Sequence, residues 1–231
     1  MKIFLDTANI DEIRKAAELG LVDGITTNPS LIAKEGKGFK ERIQEICSIV
    51  PGDVSAETIS TDWEGMVKEG KELATWAKNV VVKAPCTPDG LRATRALSEQ
   101  GIKVNVTLIF SATQSLLACK NGAYIISPFL GRLDDLGLDG MELVRDSVEI
   151  KKNYGFKAQV LAASIRTPNH VIAAAKIGAD IATIPASVFN MLYKHVLTDA
   201  GMTRFLSDWK TLPNYEEAIF PKKAAAVAGS R

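Results

Sequence analysis

The sequence alternates short apolar runs, rich in β-branched residues, with longer segments whose apolar residues recur at three- and four-residue intervals. The short runs are residues 2–7, 24–28, 54–58, 80–84, 103–109, 123–129, 158–164 and 180–185. Runs of this length and composition predict buried strands. The segments between them include 10–19, 63–77, 91–100 and 168–178, and their periodicity predicts amphipathic helices. The chain is therefore expected to form a parallel sheet with helical connections.

Glycines stand where several of the predicted helices end, at Gly20, Gly101, Gly122 and Gly178. Eight strand–helix units in 231 residues predict a (β/α)8 barrel, the TIM-barrel fold, as a single domain. An open doubly wound sheet is the second possibility. That fold has fewer strands and a glycine-rich turn after the first one, whereas the stretch "DTANID" after the first run contains no glycine.

The chain continues beyond the eighth unit. We expect the barrel to occupy residues 1–210 and a C-terminal helical arm or tail to occupy residues 211–231. The stretch "MTRFLSDWK" has helical character, and the last residues are rich in alanine. Two alternatives stay open for this segment: it docks on a neighbouring subunit, or it frays.

The charge balance argues against two classes of partner. Lysine and arginine number 28 against 27 aspartate and glutamate residues, which leaves a formal charge of +1. Such a chain has no general attraction to polyanions, so we expect no nucleic-acid partner and no binding to anionic membranes. The most apolar late stretch, residues 171–192, contains Lys176 and Asp180, which argues against a membrane span.

The three cysteines, Cys47, Cys86 and Cys119, are widely spaced and odd in number. This pattern predicts neither a disulfide framework nor a cysteine metal site. A reducing compartment, the cytoplasm, is the expected location.

Polar residues collect where the predicted strands end. In a (β/α)8 barrel these carboxyl ends meet at one face and build the active site. The residues there are Asp6, Thr26 to Asn28, Glu57, Lys83, Asn105, Thr107, Arg132, Ser164 and Arg166. We take them as the candidate site.

Lys83 follows three valines at the end of a run that is expected to be fully buried. Desolvation disfavours the charged form of a lysine and favours the free amine, the nucleophile that condenses with a ketone to give a Schiff base. The alternative is structural, an ion pair with Asp6 or Glu57 across the barrel mouth.

Glu57 and Thr107 could hold a water molecule for proton transfer, with Asp6 as a second proton-transfer group. Asn105 and Thr107 are two residues apart and so share one face of the fifth strand. Taken singly, each has an ordinary alternative: strand-end capping for Thr107 and salt bridges for the acids. Together with Lys83 they form the set of groups that Schiff-base chemistry needs.

Arg132, Ser164 and Arg166 follow the sixth and seventh strands and suit a phosphate monoester. Loops late in such barrels commonly form the phosphate site. The alternative is that Arg132 pairs with Asp134 or Asp135 in its own loop. Arg166 has no acid close to it in the sequence, so a phosphorylated substrate is favoured.

Six ordered motifs resemble those of one family, the small transaldolases and their relatives the fructose-6-phosphate aldolases. The motifs are "FLDTANIDEI", "DGITTNPSL", "VVVKAPCTPDGL", "NVTLIFSATQSLLA", "SPFLGRLDD" and "ASIRTP". The similarity runs from residue 1 to about residue 210. It implies a barrel enzyme that works through a lysine Schiff base and needs neither a metal nor an organic cofactor.

The resemblance also implies roles for individual residues. Lys83 would form the Schiff base, and Asp6 would assist proton transfer. Asn28 and Asn105 would hold the dihydroxyacetone part of a sugar, while Glu57 and Thr107 would position a water molecule. The phosphate would be bound by Arg132, Ser164 and Arg166. Members of the family associate as pentamers or decamers, with the C-terminal segment reaching across an interface. A homo-oligomer with a docked arm is therefore expected.

Two residues separate the activities within this family. The aldolases resemble this chain but carry Gln at the position of Glu57 and Tyr at the position of Phe129. A carboxylate can take and return a hydroxyl proton, whereas an amide cannot ionise. We therefore expect a transaldolase of the pentose phosphate pathway. It would move dihydroxyacetone from fructose 6-phosphate or sedoheptulose 7-phosphate to erythrose 4-phosphate or glyceraldehyde 3-phosphate.

Two alternatives to this activity stay open. One is a class I fructose-6-phosphate aldolase that releases dihydroxyacetone. The other is a non-catalytic barrel that binds sugar phosphates.

Overall fold

The computed structural model describes residues 1–220, so residues 221–231 of the expected arm lie outside the described residues. The chain divides into two compact units, Met1–Leu192 and a second unit that begins at Tyr193. The division at residue 210 expected from the sequence stays a prediction.

The first unit is a closed barrel of eight parallel strands in chain order, with the last strand paired to the first. The strands are β1 (Lys2–Asp6), β2 (Gly24–Thr26), β3 (Val54–Glu57), β4 (Val80–Pro85), β5 (Val104–Ile109), β6 (Ile125–Pro128), β7 (Gln159–Ala162) and β8 (Ile181–Ile184). Each begins and ends within two residues of its predicted run. The (β/α)8 barrel is confirmed, and the doubly wound alternative is excluded because the sheet closes.

Helices follow each strand in the same unit. They are α1 (Ile10–Glu18), α2 (Pro29–Lys34), α3 (Phe39–Ile49), α4 (Trp63–Ala74), α5 (Pro88–Ser98), α6 (Ala112–Lys120), α7 (Leu130–Asp134), α8 (Gly140–Tyr154), α9 (Pro168–Ile177) and α10 (Ala186–Phe189). Many begin at a side-chain cap; Thr167, for example, accepts a hydrogen bond from the N–H of His170. Gly178 ends α9 with φ of 91°, a conformation that glycine adopts without strain.

The helices pack closely on the outside of the barrel. A Cβ atom on Gly70 of α4 would lie 2.7 Å from Leu97 Cδ1 and 3.2 Å from Val82 Cγ1. Glycine at this position therefore lets α4 approach both β4 and α5. The strands, buried on both faces, are consequently rich in valine and isoleucine.

Alternate residues of the strands meet inside the barrel. They form an apolar cluster of Phe4, Val81, Ile125, Leu161, Ala163 and Ile181. Side chains two positions further along a strand face the same way. Asp6, Lys83, Ser127 and Thr183 therefore continue these interior columns at the carboxyl end of the barrel.

The second unit contains α11 (Val196–Trp209), which begins at the N-cap His195. Several of its large apolar side chains are exposed: Val196, Leu197, Met202, Phe205, Leu206 and Trp209. Within residues 1–220, no helix is both long and apolar enough to cross a bilayer.

Candidate active site

Lys83 lies inside the barrel near the end of β4, and only 7% of its side chain is exposed. Its Nζ donates to Glu57 Oε2 at 3.0 Å and to the carbonyl oxygen of Thr27 at 3.0 Å. The pairing with Glu57 follows from strand register, because Glu57 and Lys83 are direct partners across β3 and β4. The ion pair weighed as an alternative for Lys83 is thus formed, and it places a carboxylate beside the amine.

Asp6 is the second acid at this end of the barrel. Its Oδ1 accepts a hydrogen bond of 2.8 Å from Thr26 Oγ1, which also lies 2.6 Å from Thr183 Oγ1. Burial raises the pKa of Asp6, and this effect outweighs the lowering by the Thr26 hydrogen bond and by the charges of Lys83 and Arg132. A carboxyl group with a raised pKa can exchange a proton close to neutral pH more readily than an exposed one.

Thr107 and Asn105 point into the barrel from β5, as their spacing predicts. Asn105 is completely buried, donating to Ser55 Oγ at 3.1 Å and accepting from Ser127 Oγ at 2.7 Å. Thr107 Oγ1 is buried and has no hydrogen-bond partner among the described residues. A buried hydroxyl of this kind is ready to bond a polar group that enters the cavity.

A cavity of about 140 Å³ opens above Lys83. Its polar lining includes Asp6, Thr26, Asn28, Lys83, Thr107, Ser127, Arg132, Ser164, Arg166 and Thr183, with Phe129 at one side. A lysine, an acid and two arginines therefore converge on one small space at the carboxyl ends of the strands.

Arg132 and Arg166 stand together on one side of this cavity. Gly131 permits the approach, because a Cβ there would lie 2.0 Å from the carbonyl oxygen of Ser164. Ser164 itself has φ of 61°, a strained value for a residue with a side chain. The tight contact brings the two loops, and with them the two guanidinium groups, to the same part of the cavity.

The pairing of the arginines differs from the expectation. It is Arg166, and not Arg132, that forms an ion pair with a loop acid, through Nη2 and Asp135 Oδ2 at 3.0 Å. No acid is close to Arg166 in the sequence, and Asp135, 31 positions away, is brought close to it only by folding. Both side chains are about half exposed, so the pair is weak and can open for a ligand.

A protein-family model for "Transaldolase/Fructose-6-phosphate aldolase" matches residues 3–226. The chain belongs to this family. It is 58% identical over 213 residues to a probable transaldolase of Anaeromyxobacter sp. (strain K), covering 92% of this chain and 98% of that protein. A probable transaldolase of Desulforapulum autotrophicum is 59% identical over 214 residues, covering 93% and 100%. The resemblance seen in the motifs is confirmed, and the chain is an enzyme of the transaldolase family.

Two of the expected site residues of this transaldolase-family chain do not line the cavity. Glu57 reaches it through its bond to Lys83, and Asn105 lies beneath it, bonded to Ser55 and Ser127. Asn28 does line the cavity, and its Oδ1 also caps α2 by accepting from the N–H of Leu31 at 3.0 Å. The expected contacts of these residues with substrate stay predictions.

Sequence reasoning did not select Ser127 and Thr183, although both line the cavity. Ser127 begins the quoted motif "SPFLGRLDD", and Thr183 lies two residues after Ile181 in the last apolar run. The even spacing from a buried interior residue is the signal that identifies them.

Within residues 1–220, no group of three His, Cys, Asp or Glu side chains is placed to hold a metal ion. His170 lies in α9, and His195 is the residue just before α11. His170 accepts a hydrogen bond from the N–H of Arg166 at 3.3 Å, and His195 caps α11.

Proposed function

We propose that this chain is a transaldolase that carries a dihydroxyacetone unit on Lys83. The observation that supports this most strongly is the buried Lys83 amine, 3.0 Å from the Glu57 carboxylate and open to a cavity with two arginines. The donor would be fructose 6-phosphate or sedoheptulose 7-phosphate, and the acceptor erythrose 4-phosphate or glyceraldehyde 3-phosphate.

The first step is condensation of Lys83 with the ketose. Glu57 takes a proton from the ammonium group, and the free Nζ attacks the C2 carbonyl. Glu57 returns this proton to the carbinolamine hydroxyl, which leaves as water and gives a protonated imine. This group is the electron sink for the next step, so the mechanism has no role for a metal or an organic cofactor.

The second step breaks the bond between C3 and C4. Glu57 takes the C4 hydroxyl proton through a water molecule that the Thr107 hydroxyl also holds, and Asp6 assists. The bond electrons move into the imine, an aldose phosphate leaves, and an enamine of three carbons stays on Lys83. The raised pKa of Asp6 suits a group that takes up and returns this proton.

The third step reverses the second with a new partner. The enamine carbon attacks the aldehyde of an acceptor, and the new alkoxide receives the proton that Glu57 holds. Hydrolysis of the imine then frees the longer ketose and restores the Lys83 amine. Phe129 lines the cavity without a hydroxyl that could protonate the waiting enamine, which favours transfer over release.

Phosphate recognition would fall to Arg132, Ser164 and Arg166. Arg132 has no ion pair with Asp134 or Asp135 in the described part of the chain, and Arg166 has only a half-exposed one. Asn28 and Asn105 would order the dihydroxyacetone hydroxyls, Asn28 directly and Asn105 through Ser127.

Three broader expectations belong to the same proposal. We place the enzyme in the pentose phosphate pathway and in the cytoplasm. We also infer a homo-oligomer, a pentamer or decamer, in which the segment after the barrel reaches a neighbouring subunit. The exposed apolar side chains of α11 support this inference.

The test is release of glyceraldehyde 3-phosphate from fructose 6-phosphate, with and without erythrose 4-phosphate. Release only in the presence of the acceptor supports a transaldolase. Equal release without the acceptor would mean an aldolase that frees dihydroxyacetone. No release either with or without the acceptor would favour another ketose donor or a barrel that only binds sugar phosphates.

A further inference from the structure

Phe110 belongs to none of the groups described above, yet it touches the wall of the cavity. Its ring meets the ring of Phe129 in an edge-on contact, with the centroids 5.7 Å apart and the planes at 63°. The Arg132 guanidinium carbon lies 5.0 Å from the centroid of the same Phe129 ring. Phe129 is thus held between a second aromatic ring and the guanidinium expected to bind phosphate.

The backbone just before Phe110 is irregular. The register between β5 and β6 shifts between Val106 and Ile109, and Leu108 adopts φ of 57°. Such a conformation costs free energy in a residue with a side chain. It persists only where the surrounding structure holds it in place, and it lies two residues before Phe110.

Gln114 holds the backbone of Phe110 in this position. Its Oε1 accepts from the N–H of Phe110 at 2.8 Å, and its Nε2 donates to the carbonyl oxygen of Cys86 at 3.4 Å. Cys86 follows the end of β4, the strand that carries Lys83. The side chain of Gln114 thereby joins the end of the lysine strand to the residue that supports Phe129.

We propose that Phe110 is a positioning residue of the transfer reaction, acting through Phe129 to keep water from the three-carbon unit on Lys83. This inference rests on the proposed function. Phe110 does not line the cavity itself, so its effect on the reaction must pass through the Phe129 ring and the Arg132 side chain that contacts it.

The reaction that Phe129 is expected to suppress is release of dihydroxyacetone. Release requires one proton on the enamine carbon and one water molecule that adds to the imine carbon. The carbon–nitrogen bond then breaks, Lys83 recovers its amine, and free dihydroxyacetone leaves. Hydrolysis of an imine also ends every transfer cycle, so the step that decides for release is protonation of the enamine carbon. A Phe129 ring that moves away admits a water molecule that can protonate this carbon, whereas a fixed ring leaves the enamine to the acceptor.

The experiment measures the ratio of dihydroxyacetone release to transfer in Phe110→Leu, which removes the ring and keeps an apolar side chain. The free energy of one edge-on aromatic contact corresponds to a factor of roughly 2 to 12 in a ratio of rates, so the ratio of release to transfer is expected to rise by that factor. The single-turnover rate of imine formation, trapped with borohydride, should change by less than about twofold. Phe110→Tyr keeps the aromatic ring and should therefore show the same ratio of release to transfer as the wild type.

Phe156→Leu is the matched control, because Phe156 is a partly buried phenylalanine in an aromatic pair with Tyr154, next to the amino end of β7. Phe156→Leu should leave the ratio of release to transfer unchanged, while it lowers thermal stability about as much as Phe110→Leu does. Phe110→Leu should also have no further effect in a Phe129→Leu background, since coupled residues are not additive.

Three results would overturn the inference: an unchanged ratio in Phe110→Leu, an equal change in Phe156→Leu, or full additivity with Phe129→Leu. Failure of the proposed function is seen separately, because the unmodified protein would then show no transfer to the acceptor at all. If Phe110→Leu does not fold, Phe110→Met removes the same ring and is read in the same way.

Discussion

Replacing Lys83 by methionine should destabilise the protein as well as stop turnover. The Nζ of Lys83 lies 3.0 Å from Glu57 Oε2, and the two side chains are only 7% and 15% exposed. Methionine fills much of the same space but leaves the Glu57 carboxylate buried without its counter-charge. Removing one partner of a buried ion pair costs about 3–5 kcal/mol.

The lower end of that range applies here, because Glu57 retains some contact with water. We expect Lys83→Met to lose about 3 kcal/mol of unfolding free energy. For a domain of this size each kcal/mol lowers Tm by roughly 2–4 °C, so Tm should fall by roughly 6–12 °C. Adding Glu57→Gln to Lys83→Met removes the unpaired charge. The double variant should therefore have an unfolding free energy about 2 kcal/mol higher than that of Lys83→Met alone.

The assay is urea unfolding at pH 7 of the wild type, Lys83→Met, Glu57→Gln and the double variant. Lys40→Met is the matched control, since Lys40 forms an ion pair with Glu72 at 3.2 Å in which both side chains are more than half exposed. It should cost no more than about 1 kcal/mol. A Lys83→Met variant as stable as the wild type, or single effects that simply add in the double variant, would contradict a buried ion pair at this position.

Three further predictions concern other parts of the site. Burial raises the pKa of Asp6 above its ordinary value of 3.8, so the folded protein loses stability as pH rises from 3.8 through the folded pKa. Asp6→Asn should therefore be more stable than the wild type in thermal scans at pH 7, and this difference should vanish near pH 3. Gly131→Ala should lower the free energy of unfolding in urea by about 1–3 kcal/mol and raise KM for phosphorylated substrates, because the new Cβ meets the Ser164 carbonyl. Gly38→Ala is the control and should be close to neutral, since a Cβ on Gly38 meets nothing within 4 Å. Burial raises the pKa of Cys86 to about 11, so alkylation by iodoacetamide at pH 7.5 should be slow, and rapid modification would contradict this environment.

The strands and the identity of most site residues could be predicted because both depend on local pattern. Three valines before Lys83 mark a buried strand, and the strand ends of a parallel barrel meet by topology. The two-residue spacing of Asn105 and Thr107 also fixes which side of β5 they share. Such features require only the periodicity of the chain and the rule that carboxyl ends converge.

Contacts between distant segments could not be predicted in this way. The choice of Glu57 rather than Asp6 as the partner of Lys83 depends on the register of β3 against β4, and the pair of Arg166 with Asp135 depends on how two loops fold over the barrel. The shifted register near Leu108 and the positive φ of Ser164 are likewise set by tertiary contacts, since neither residue type favours that conformation.

The central claim is that Lys83 carries the three-carbon unit, and reductive trapping tests it most directly. The protein is incubated with fructose 6-phosphate, reduced with borohydride and digested, and the peptides are measured by mass spectrometry. The account predicts one modified peptide, with the mass of a reduced dihydroxyacetone unit on Lys83 and none in Lys83→Met. An unmodified Lys83, or an adduct on another lysine that persists in Lys83→Met, would contradict it.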